Sequence, residues 1–170
     1  MFELRPIAKE SIPRALLKAE RYRLLNEPRE AESICRDILA VDPQNQPALV
    51  CLVLALTDLF HGFEHRAEEV RPLIARLADP FEREYYAGVV EERWAKALLA
   101  GGYPHDVVHT SVRVALKHFD AAETLAPSGN DDAALRWNAC VRMIRHHNLA
   151  PAQREDIPDS ELFGDDVPAR

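Results

Sequence analysis

Four histidines stand in pairs four residues apart, His61 with His65 and His105 with His109, the spacing at which two imidazoles on one helical face can share a metal ion. Two ligands do not make a coordination shell. Gly62 falls inside the first pair, Pro104 precedes the second, and no His-Glu-x-x-His run is present, so both pairs read as surface histidines. His118 and the His146–His147 dipeptide fall in helical patterns, the latter favourably placed near a helix C-terminus. Cys35, Cys51 and Cys140 are odd in number and widely spaced, each within a helical pattern, which suits buried thiols in a reducing compartment rather than a disulfide framework. No Gly-rich phosphate loop, Gly-x-Ser-x-Gly or Cys-x-x-Cys occurs, and the many carboxylates read as lying on outer helical faces. The expectation is a non-enzyme without metal or cofactor.

The elements that position these side chains are helices. Ser11 followed by Pro13 reads as a start, a hydroxyl to cap free amides and then a ring where no amide is needed, with the first helix running to about Leu25. Pro28 opens a second whose Ala31, Ile34, Cys35, Ile38 and Leu39 share one face, and Asp42-Pro43 ends it. A third, from about Pro47 to Phe60, is apolar nearly all round across Ala48–Leu56, which requires cover on several sides. Pro72 should kink or split the next helix near Arg71. A long helix from about Phe81 to Ala100 stops at Gly101-Gly102, another spans roughly 105–126, and a last one runs from Asp131 to His147, with Asn130 capping it. No strand is expected.

Two of these helices carry the same spacing: Ala31, Cys35, Ile38 and Pro43, and again Ala115, Phe119, Ala122 and Pro127. Paired antiparallel helices stacked on a further pair need a small residue at the backbone crossing, a larger one beside it and a stop at fixed distance. The second set resembles the tetratricopeptide repeat, whose second helix reads Ala-x3-Phe-x2-Ala-x4-Pro. The first unit adds Ala19 and Tyr22 but has Cys35 and Ile38 for Phe and Ala, and the middle unit keeps only Ala75 and Pro80, with Glu68 and Pro72 out of pattern. Pro43 and Pro127 are 84 residues apart, where two regular repeats give about 68. The resemblance therefore implies an irregular all-α array of about three antiparallel helix-turn-helix repeats, stacked as a short right-handed superhelix with a capping helix.

The 170-residue chain is 47% hydrophobic, enough to bury roughly two thirds of the surface its unfolded form exposes. The expected organisation is an N-terminal extension (1–10), a repeat domain (11–148) and an acidic tail (149–170). The net charge of −7 argues against nucleic acid as a partner. The longest apolar run has nine residues, against about 18 for a bilayer span, so neither a membrane partner nor export is expected and the compartment is read as cytoplasmic.

The resemblance implies a protein or peptide partner held on the inner surface of the stack. Leu16, Glu20 and Cys51, at the inner sites of the first two units, cannot clamp a terminal carboxylate as the chaperone-binding members do. Leu16, Val50 and Leu54 suggest an apolar groove instead, with Glu20, Arg23 and Thr57 beside it, filled by a partner's helix or hydrophobic motif or by this chain's own Met1–Ile7; ordinary core packing between repeats is the equally weighted alternative for these residues. Arg136, Arg142 and Arg145, with Trp137, make the last helix the most cationic surface, a secondary candidate for an acidic partner, with a plain solvated face as the favoured alternative. In the tail, Leu162-Phe163 among acids has the form of a short linear motif, although a solubilising tail has the same composition. Together these point to an adaptor or scaffold; the alternatives are a subunit or assembly factor of a larger enzyme complex and, from another class, a metalloenzyme using the paired histidines.

Overall fold

The computed structural model describes residues 2–60 and 67–151. Seven α-helices follow one another among them: α1 (Ile12–Leu24), α2 (Pro28–Val41), α3 (Gln46–Asp58), α4 (Ala67–Ala75), α5 (Pro80–Ala100), α6 (His105–Leu125) and α7 (Asp132–His147). No strand occurs among the described residues, so the all-helical expectation holds.

Local chemistry sets the boundaries. Pro13, Pro28, Pro47 and Pro80 occupy first turns, where no amide partner is lost and φ is already helical. Asn45 accepts from the Ala48 amide at 3.1 Å to cap α3, and Asp79 accepts from Phe81 at 2.9 Å to cap α5; each such cap stabilises its helix by about 1 kcal/mol. Asn26 (φ 59°) and Gly102 (φ 72°) turn the chain through left-handed conformations after α1 and α5, and Asn148 (φ 50°) ends α7, in keeping with the tolerance of Asn and Gly for that region.

Three sequence expectations are corrected at this level. Ser11 does not cap α1: its own backbone is helical (φ −83°, ψ −11°), closing a 3-10 turn over Lys9–Ser11 through its amide to the Ala8 carbonyl. A capping hydroxyl needs an extended backbone there. Asn130 serves α7 from one residue further out, accepting from the Asp132 amide at 3.0 Å. Pro72 does not split α4, which runs through it; the missing amide would have bonded to Glu68 in the first turn, so little of the ladder is lost. Val70, Leu73, Ile74 and Leu77 form the inward stripe of this segment.

Each helix packs on its successor, and α1, α3, α5 and α7 also pack on one another in order. The six non-proline positions of the repeated spacing, Ala31, Cys35, Ile38, Ala115, Phe119 and Ala122, are all fully buried. Phe119 stands against Gly88, where an added Cβ would lie 2.6 Å from the ring; the glycine allows α5 and α6 to close. One core gathers Ala19, Cys35, Leu52, Leu56 and Val70 with Val90 of α5, while another gathers Val89, Leu98, Val112, Phe119 and Cys140. Trp94 packs on both and meets Phe60 edge to face at 5.8 Å. Full burial of such side chains stabilises by roughly 1.5–3 kcal/mol each.

Candidate functional site

On α3 the continuous apolar run is buried except along one stripe, where Val50 and Leu54 stay partly exposed. That stripe is the floor of a cleft of about 290 Å³ between α1, α3 and α5. Glu20 and Arg23 of α1 form one wall, Glu82 and Tyr86 of α5 the other, and Gln46, Pro47 and Cys51 complete the α3 side. The spacings follow from helix geometry: residues three or four apart share a face, so 47, 50, 51 and 54 line up, as do 82 and 86, and 20 and 23.

A shared carboxylate fixes the three helices behind the cleft. Asp58 at the end of α3 accepts from Arg23 Nε of α1 at 2.9 Å and from Arg93 Nη1 of α5 at 2.5 Å. The same Arg93 nitrogen lies 2.6 Å from Thr57 Oγ1 and 3.1 Å from the Leu54 carbonyl. Burial pulls the Arg93 guanidinium below its usual range, against the opposing pull of Asp58. Gln46 also bridges segments, its Oε1 accepting from the Ala78 amide at 2.7 Å just ahead of α5. Tyr86 is pushed up to about 12, by burial first and then by Glu82, so at neutral pH its hydroxyl keeps its proton as a donor. Burial and then Asp79 raise the Glu82 carboxyl.

Of the groove residues expected from sequence, Glu20, Arg23, Val50 and Leu54 come together in this cleft. Leu16 packs inward beside Ile34 and Leu39, and Thr57 is only 2% exposed beneath Arg93. Gln46, Pro47, Glu82 and Tyr86 were not among the expected groove residues; Gln46 and Pro47 lie one turn before Val50 on the same α3 face, a local signal, whereas Glu82 and Tyr86 join the cleft only through the packing of α5 on α3. The N-terminal segment lies elsewhere: Phe2 and Leu4 are exposed, and Ile7 packs near Ile12 and Ile38.

The expected basic surface divides. Arg142 and Arg145 are exposed, but Arg136 is engaged with α5, its Nη1 at 3.3 and 3.5 Å from the Glu92 oxygens and its Nε at 3.5 Å from the Tyr85 hydroxyl. Glu92 is fully buried and also bonded to Lys96, which corrects the reading that the carboxylates face outward. It occupies the same stripe of α5 as Gly88 and Ala95, a slot filled elsewhere by apolar or small residues. The neighbouring Cys140 thiol is pushed up to about 12, by burial and then by Glu92.

His105 is exposed and His109 half-buried, while His118 Nδ1 lies 2.8 Å from Glu84 Oε2. Among the described residues no group of three or more His, Cys, Asp or Glu side chains is placed to hold a metal ion, and no helix is long and apolar enough to cross a membrane. His61, His65, Leu162 and Phe163 lie outside the described residues. No protein-family model, curated protein or solved structure matches the chain.

Proposed function

We propose that this chain is a non-catalytic protein–protein interaction module of tetratricopeptide type, an adaptor that holds a peptide or helix in the α1–α3–α5 cleft. The observation that carries the reading is the cleft's composition: an apolar floor of Pro47, Val50 and Leu54 between three helices pinned together by Asp58. Its volume of about 290 Å³ suits one or two inserted side chains and is at the lower limit for a small-molecule site. Arg23 is already paired with Asp58, and Glu20 and Glu82 add two carboxylates to the rim. The partner that fits is therefore a cytoplasmic segment with an apolar anchor flanked by Lys or Arg, and a C-terminal carboxylate is disfavoured.

Fluorescence anisotropy of the full chain against labelled helical peptides with a Leu or Phe anchor, flanked by either Lys or Glu, tests this. Micromolar binding of the Lys series, abolished by Val50→Asp and weakened by Glu20→Lys, is the expected result. Equal binding of both series, or binding indifferent to Val50→Asp, sinks the assignment of the cleft.

The second reading, a subunit or assembly factor of a larger enzyme complex, is favoured by one feature. Leu17, Leu24 and Leu25 of the α1 region are 67, 89 and 60% exposed, beside Arg14, Lys18 and Arg21 in a separate surface depression that also includes Leu17 and Leu25. Clustered exposed leucines of this kind suit a face covered in an assembly.

A further inference from the structure

A second groove, of about 600 Å³, lies between the last turns of α5 and α7. Residues 96, 99 and 100 share one face of α5, as 142, 143 and 146 share one face of α7. Leu99, Ala100 and Met143 make its floor apolar, and Lys96, Arg142 and His146 stand around it. Lys96 is engaged with Glu92, whereas Arg142 and the nearby Arg145 are exposed and form no ion pair among the described residues. The described part of the chain ends beside this groove. Asn148 turns the backbone through a left-handed conformation (φ 50°), the Leu149 amide donates to the Ile144 carbonyl at 3.0 Å, and Leu149 is buried in the second core with Met143. Nineteen residues follow Pro151, with six carboxylates, two arginines and the apolar side chains Ile157, Leu162, Phe163 and Val167. Leu162-Phe163 has acids on both sides, Asp159 and Glu161 before it and Asp165 and Asp166 after it.

We propose that residues 152–170 dock back onto the α5–α7 groove of the same chain, with Leu162 and Phe163 on its apolar floor and the flanking carboxylates facing Lys96, Arg142 and Arg145. Reach is ample. The eleven residues from Pro151 to Leu162 span up to about 36–40 Å when extended, whereas the groove runs along only about 8 Å of α7. Charge favours this surface over the α1–α3–α5 cleft, whose rim carries Glu20 and Glu82 and repels an acidic segment. Proximity favours it over the cationic α1 face of Arg14, Lys18 and Arg21. α1 packs on η1, α2 and α3, whereas α7 packs on α5 and α6, and attachment a few residues away gives the tail a local concentration of about a millimolar at the α5–α7 groove. An acidic partner of the α7 face has to displace the tail before it can bind there.

The test uses the full chain with p-benzoylphenylalanine in place of Phe163, prepared in isotope-labelled and unlabelled forms that are mixed, irradiated, digested and mapped by mass spectrometry. The expected product joins residue 163 to segment 96–100 or 142–147 within a single isotopic form. Arg142→Glu combined with Arg145→Glu should cut that yield about fivefold, and raised salt should lower it as well. Both arginines are exposed, so the helical circular dichroism of the double variant should match that of the parent. The parent map stands by itself even if the double variant folds poorly. Links between the two isotopic forms overturn the proposal in favour of a second copy, and links to α1 or to the Val50–Leu54 floor overturn it in favour of another surface. Absence of any link to the described residues, or an undiminished yield from a folded double variant, overturns it as well.

Discussion

Replacing Arg136 by Met keeps most of the side-chain stem on α7 while withdrawing the guanidinium from Glu92. The Glu92 side chain is 1% exposed and Arg136 comes within 3.3 Å of it, a separation at which two charges near a protein surface attract by about 5 kcal/mol before desolvation is counted. Stripping a buried charge of its partner costs roughly 3–5 kcal/mol. Here Lys96 continues to hold the carboxylate and Arg136 is itself 34% exposed, so a loss of about 2 kcal/mol is expected, with a urea midpoint lowered by roughly 1 M. Glu92→Gln removes the charge that needs compensation, and both cations then turn to water, at a cost of about 1 kcal/mol. The double variant should therefore be less damaged than the sum of the singles, by about 1–2 kcal/mol. Urea unfolding followed by circular dichroism on all four proteins at one pH gives the cycle. An Arg136→Met variant within about 0.5 kcal/mol of wild type, or strictly additive effects, would refute the view that α7 is docked through this carboxylate.

Gly88→Ala should destabilise by about 1–2 kcal/mol, because overpacking against Phe119 outweighs a helix-propensity gain of about 1 kcal/mol; a raised melting temperature would show that the ring yields. Adding Phe119→Leu should remove that penalty, measured against Phe119→Leu alone. Asp58→Asn should cost about 1–2 kcal/mol, since Arg23 and Arg93 are left facing each other without their shared counter-charge, and unchanged thermal stability would count against the three-helix tie. Cys140 and Tyr86 both hold protons in the fold that the unfolded chain has already released, Cys140 between pH 9 and about 12 and Tyr86 between pH 10 and about 12. Stability should thus fall as pH rises through those windows. Tyr86→Phe should flatten the slope above pH 10 in denaturant titrations, and an unaltered slope would contradict the burial of that hydroxyl.

Helix positions were legible because prolines, cap residues and the 3.6-residue period are local signals, and the buried Ala31–Cys35–Ile38 and Ala115–Phe119–Ala122 stripes follow directly from spacing. Residues 70, 73, 74 and 77 keep a helical period across α4 and the turn after it, but the segment was read through a repeat pattern that Glu68 and Pro72 do not fit and through a break expected at Pro72, so that stripe went unread. Two-thirds of the expected groove assembled, because Glu20, Arg23, Val50 and Leu54 sit where the crossing of α1 and α3 leaves a gap. The opposite wall depends on how α5 approaches α3, a long-range matter that no local period encodes. Glu92 and Arg136 show the same limit: charge alone says surface, and only the meeting of α5 with α7 reveals that one is buried by the other's neighbourhood.

Adjacent residues of α5 serve different masters, Val90 the first core and Val89 the second, and Trp94 a turn later touches both. That helix is a wall common to two rooms, so a cut in the Arg76–Asp79 connection deprives the N-terminal room of one side and exposes the shared face of the other. The protein should melt as one unit, with α5 amides among the last to exchange with solvent. Lineages built on this arrangement could lengthen or shed helices at either end, while an insertion within α5 would rotate one core's contacts out of register with the other's.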